Sequence, residues 1–184
     1  MAAFLGLGRR NRREQAGFRL YGAAMAASRA PFAYRVIGVP DTLDGRFDLL
    51  CVYVFLLIRR LQREPEPGPA LAQAVFDAMF GDMDVTLREM GVGDLSVGRR
   101  VRAMWEALNG RSTAYEAAMR AGDATALAAA LARNVWRGAE PPDGAAASLA
   151  RVALAQAAFL DGQDLAGLAA GDVDFLPAEE AAAR

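Results

Sequence analysis

Along most of the chain apolar residues recur at spacings of three and four and almost never alternate, so the pattern predicts helices throughout. Over residues 10–29, Phe18, Tyr21 and Met25 with the small Ala24, Ala26 and Ala27 mark a helix with a narrow buried face, ended by Pro31. Residues 32–37 read as a short helical turn closed by Gly38. Asp41 or Thr42 then caps a long helix at about 42–63, with Asp44 adding favourable charge to its first turn. Residues 49–58 are apolar on every side, so this helix is predicted to be surrounded by others and to form the hub of the core. Its Val, Tyr, Phe and Ile content would suit a strand, but the long helical context and the lack of a partner strand decide for helix. Cys51, in the middle of the hub, is expected to be an inert small hydrophobe.

A Pro-Glu-Gly segment at 64–69 is the clearest connector. After it Leu71, Val75, Phe76, Met79, Phe80, Met83, Leu87 and Met90 define one face of a helix ending at Gly91. Gly91 and Gly93 make a tight corner, and Asp94 or Ser96 caps the next helix. Its expected buried stripe is Val101, Met104, Trp105, Leu108, Tyr115 and Met119, with a candidate kink at Asn109-Gly110. A helix follows at about 124–137, then a second linker at 138–144, a helix at 145–160 and a short one at 163–170. The reading is an all-α fold: a single compact domain of about six to seven helices over 10–176, between a flexible N-terminus (1–9) and a disordered tail (177–184).

Composition agrees, since 41 of the 184 residues are alanine, the strongest helix former. The complete absence of histidine removes Ser-His-Asp and Cys-His nucleophile systems, a histidine base and His-ligated metal centres from consideration. All 21 basic residues are arginine. They are unevenly placed: residues 1–63 hold 11 arginines against four acids, whereas 64–184 hold 10 against 18, a balance unlike that of a DNA binder. The short apolar stretch at 1–8 precedes its arginines instead of following them, the reverse of a secretory signal. Ten apolar residues at 49–58 cover about 15 Å as a helix, half a bilayer. The chain is therefore expected in the cytoplasm, with peripheral attachment to the inner membrane as an option.

Three groups of polar residues are candidates for chemistry. Asp41, Asp44 and Asp48 share a helix face beside Arg46; Asp82, Asp84, Arg88 and Glu89 lie opposite the methionine-bearing stripe, with Asp84 and Arg88 at i, i+4. These carboxylates define an alternative reading, a small helical metal-dependent enzyme. An ordinary solvated face with an N-cap and ion pairs explains them more simply. Arg9, Arg10, Arg12 and Arg13 form a basic arm suited to ribosomal RNA or anionic lipid, a second alternative as a surface adaptor. Gly6 and Gly8 follow no strand and lack a third glycine, so they are no dinucleotide loop.

Two blocks go further. VPDTLDGRFDLL (39–50), running into VFLLIRRL (54–61), and FGDMDVTLREMGVGDLSVG (80–98) resemble the ubiquinol–cytochrome c chaperone family, with LYG (20–22) and Arg29 as a weaker third match. The resemblance covers roughly 18–137 and implies a non-enzymatic assembly factor of bacterial type, without cofactor or catalytic residues. In mitochondrial members the implied client is newly made cytochrome b of complex III, with a small helical partner protein and docking near the ribosomal exit. By position the motif residues include Asp41, Asp44, Arg46, Asp48, Asp82, Met83, Asp84, Arg88, Glu89 and Asp94. They are expected either to clasp the hub to the following helix, through Arg46 or Arg88, or to meet a client. A client made of membrane helices calls for an apolar groove rimmed by charge, for which the Met79/Met83/Met90 stripe and Phe32 are the nearest candidates.

Overall fold

The computed structural model describes the backbone of residues 2–184 and the side chains of residues 10–184. Among these the chain forms nine helices and no strand: α1 (Ala2–Ser28), α2 (Pro31–Arg35), α3 (Leu43–Gln62), α4 (Gly68–Glu89), α5 (Asp94–Ala121), α6 (Ala124–Val135), α7 (Ala145–Asp161), α8 (Leu165–Ala170) and α9 (Ala178–Ala183). Six are long, and α2, α8 and α9 are single short turns. α1 starts upstream of the expected residue 10. The expectations for a flexible 1–9 segment and for Arg9 fall outside the residues whose side chains are described.

α3 is the hub. Thr42 caps it by accepting a hydrogen bond from the Gly45 N–H at 3.1 Å, and every residue from 48 to 57 is buried. α1, α4, α6 and α7 surround it. α1 packs along α4, where small residues let the backbones approach: a Cβ on Gly17 would lie 2.6 Å from the Ala74 backbone. At the other end of the hub, buried Arg60 donates from Nε to the Leu160 carbonyl at 2.9 Å and from Nη2 to the Gln163 carbonyl at 2.8 Å. It thereby ties the hub to carbonyls at the end of α7 and just beyond it, in addition to favouring the dipole of its own helix.

Four expectations change. Gly93, not Asp94 or Ser96, stands at the N-cap of α5, because Asp94 turns back to Arg88. α5 runs unbroken through Asn109-Gly110. The methionine stripe of α4 is buried only as far as Met79; beyond it α4 and the first half of α5 pass the edge of the core as a helical hairpin around Val97, leaving Met90 and Leu95 exposed. Residues 177–184, expected to be disordered, include α9, whose Ala178 and Ala181 are buried against α7. The strand-like tail before α9 is held by buried Gln156, which donates to the Leu176 carbonyl at 2.7 Å and accepts from its N–H at 3.0 Å. Among the described residues no helix is long and apolar enough to cross a membrane.

Candidate functional site

Within the first aspartate group, Asp48 is the centre of a buried clasp. Asp48, on the second turn of α3, has no side-chain exposure. One carboxylate oxygen forms an ion pair with Arg111 Nη1 of α5 at 2.6 Å, and the other accepts a hydrogen bond from Arg137 Nε at 2.6 Å. Arg137 Nη1 also reaches Asp44, at 2.7 Å. Arg137 follows α6 in the left-handed region (φ 51°), a conformation a bulky side chain adopts only when its surroundings impose it. Its neighbour Trp136 donates from Nε1 to the Gly38 carbonyl at 3.1 Å. Three parts of the chain therefore converge on one carboxylate, and the charge-assisted bonds offset the cost of burying it.

Arg46 and Arg88 do not bridge the hub to α4 as expected. Arg46 Nε hydrogen-bonds Asp41 at 2.6 Å and its guanidinium lies 5.6 Å from the centre of the Tyr34 ring. Arg88 pairs with Asp84 one turn away (2.6 Å) and with Asp94 across the corner. Each arginine finds a carboxylate nearer along the chain than the opposite helix offers. Those hydrogen bonds hold the Asp41 and Asp84 carboxyls below the usual carboxylate range. Asp82 accepts from the Tyr21 hydroxyl of α1 at 2.6 Å, Met83 is half-buried, and Glu89 is exposed. The second block thus ties α4 to α1 and to its own corner. Arg10 in the basic arm pairs with Glu14 at 2.8 Å, and Arg13 is exposed, as is Arg12.

This geometry bears on the metal-enzyme reading. Asp41, Asp48 and Asp84 are engaged by arginine and Asp82 by tyrosine. Among the described residues no three His, Cys, Asp or Glu side chains converge where a metal ion would sit. Cys51 is buried, and its thiol is pushed up to about 12 by that burial, the inert state expected of it.

The opening fit for a partner lies elsewhere. A cleft of about 1120 Å³ separates α5 from α3 and α4. Half-buried Ile58 and Phe76 supply its apolar surface above the nearly buried Phe55 and Leu108, with Trp105 at the lip, 43% exposed. Arg59, Arg63, Glu116 and Arg120 form a charged rim. Phe55, Ile58 and Arg59 come from the 54–61 block of the resemblance, but none of the polar motif residues from Asp41 to Asp94 lines the cleft, and neither Phe32 nor the methionines do. A signal was present in α5: positions 105, 108, 109, 112, 113 and 116 share one helix face yet mix Trp and Leu with Asn, Ser, Thr and Glu. Such a face is too polar for a filled core and too apolar for open solvent.

The family model described as ubiquinol-cytochrome C chaperone matches residues 35–175. Among solved structures, the chain is similar to the crystal structure of the Cbp3 homolog from Brucella abortus. The two share 35% identity with a TM-score of 0.84, covering 98% of this chain and 99% of that one. No curated protein sequence matches.

Proposed function

This chain belongs to the ubiquinol-cytochrome C chaperone family, and from that premise we propose that it is a non-enzymatic factor in the assembly of ubiquinol–cytochrome c reductase. Its client is newly made cytochrome b, held before the complex closes around it. The observation that carries this reading is the charged-rimmed apolar cleft beside α5. A membrane-protein chain outside the bilayer needs a partner that covers apolar side chains and lets go later. An open cleft with a polar rim does this reversibly, whereas a fully apolar pocket would hold too tightly and invite self-association. The engaged carboxylates and inert thiol support a holding role over a chemical one.

The protein acts in the cytoplasm, at the inner face of the inner membrane. The basic arm at Arg9, Arg10, Arg12 and Arg13 is suited to anionic lipid or to ribosomal RNA near the exit, where the client emerges. A small helical protein is a further proposed partner. Deleting the gene in its host and measuring assembled complex III with cytochrome b content tests the reading. Loss of both is expected, and unchanged levels refute it. Removal of residues 1–13 should abolish co-sedimentation with ribosomes or anionic vesicles while leaving the cleft intact.

A further inference from the structure

As a client surface, the cleft beside α5 specifies its occupant more closely than an apolar lining alone would. Its walls are all helices, whose backbone N–H and C=O groups are already paired within each helix. An extended peptide placed there would lose water from its own backbone groups and find no ladder to join. A helix brings its backbone bonds with it. α5 offers a helix a continuous seat: the lining positions from Trp105 to Arg120 recur at three- and four-residue spacings over about 22 Å. In the middle of that seat Ser112, Thr113 and Ala117 are small enough to let another helix come close, while Phe76 and Trp105 stand as anchors beside them.

The rim adds a charge. Arg59 Nε hydrogen-bonds Glu116 Oε2 at 2.7 Å, and Arg120 Nη2 reaches the other oxygen of the same carboxylate at 3.4 Å. Two guanidinium groups thus share one carboxylate, whereas the third rim cation, Arg63, faces Asp161 at 3.1 Å. This end of the cleft carries one positive charge more than its carboxylates match. We infer, resting on the proposal that the cleft is the client surface, that it takes an amphipathic α-helix with an apolar face of two to four turns. A carboxylate on the flank of that helix meets Arg59 and Arg120. The carboxylate completes the rim's charge, and the apolar face covers Ile58, Phe76 and Trp105.

The test uses the full chain and fluorescein-labelled synthetic helices sharing one Leu/Phe face, with Glu or Lys on the flank. Anisotropy at low salt should show the Glu peptide binding at least fivefold tighter than the Lys peptide. Arg120→Ala, at a side chain 81% exposed, should weaken the Glu peptide about three- to fivefold, the scale of a solvent-facing ion pair, and should not weaken the Lys peptide. Trp105→Ala should weaken both. Equal binding of the two peptides overturns the charge inference while the client reading stands. Equal binding by a proline-interrupted peptide of the same composition overturns the helix. Binding of no peptide overturns the inference and the client role of the cleft together, a result separate from complex III levels in the host.

Discussion

Replacing Asp48 by alanine tests the clasp directly. The carboxylate has no exposed area, and Arg111, whose side chain is only 13% exposed, would lose its 2.6 Å partner. Arg111 would be left beside the weak acceptor Cys51 Sγ at 3.7 Å and the Phe47 ring at 6.0 Å. Removing one member of a buried pair costs about 3–5 kcal/mol, because the other charge stays buried without compensation. Arg137 suffers less: it is 44% exposed and keeps Asp44 at 2.7 Å, so its share is at most about 1 kcal/mol. The expected loss of about 4 kcal/mol is a large part of the 5–15 kcal/mol typical of a domain. With an m-value of about 2 kcal/mol/M it lowers the urea midpoint by about 2 M. Far-UV circular dichroism during urea titration reads this directly. The double variant Asp48→Leu/Arg111→Met should recover most of the loss, since an apolar pair of similar volume replaces the ionic one. A single-variant loss under about 1 kcal/mol, or a double variant no better than the single, refutes the reasoning.

Gly17→Ala should cost about 1–3 kcal/mol, as a Cβ there meets Ala74 backbone at 2.6 Å. Gly81→Ala, whose Cβ meets nothing within 4 Å, should instead add about 0.5–1 kcal/mol, and thermal melts of both variants check the contrast. Burial raises the hydroxyl pKa of all four tyrosines, to about 12 for Tyr53 and Tyr115, so folding favours the proton-bound form. Their contribution is whole below the unfolded value of about 10 and is lost as pH rises toward 12; tyrosinate absorbance should therefore appear together with loss of helix, and an earlier rise would contradict the burial. Cys51 should react with a thiol reagent at pH 8 only at the rate of global unfolding, and fast labelling of the folded protein would show the hub to be open.

The hub was legible in the sequence because ten unbroken apolar residues between charged ends admit few other readings, and Thr42 marks its start. The partners of Asp48 were not legible. Arg137 lies 89 residues away, and no local spacing rule connects such a pair. Periodicity in α4 and α5 reported correctly that one side is apolar, but it cannot say what covers that side; Met90 and Trp105 fit the stripe and still stand exposed. α9 escaped notice because Ala178 and Ala181 anchor it through close fit instead of bulk, and alanine carries little hydrophobic signal. The cleft is hidden for a related reason. Methionines mark the expected groove, whereas the apolar lining comes from Phe55, Ile58, Phe76, Trp105 and Leu108, spread over three successive helices whose gap no local spacing reveals.

The long reach of the hub's charged side chains sets a schedule for the protein's own synthesis. Asp48 leaves the ribosome 89 residues ahead of Arg137, and Arg60 precedes its carbonyl acceptors at Leu160 and Gln163 by 100 and 103 residues. At roughly 5–20 residues per second, the hub waits on the order of 4–20 s for the groups that complete it. During that interval α3 is an apolar segment with an aspartate and an arginine still lacking their final partners, and α7, one of its walls, has yet to be made. The chain spends much of its own synthesis in the condition of the clients we assign to it.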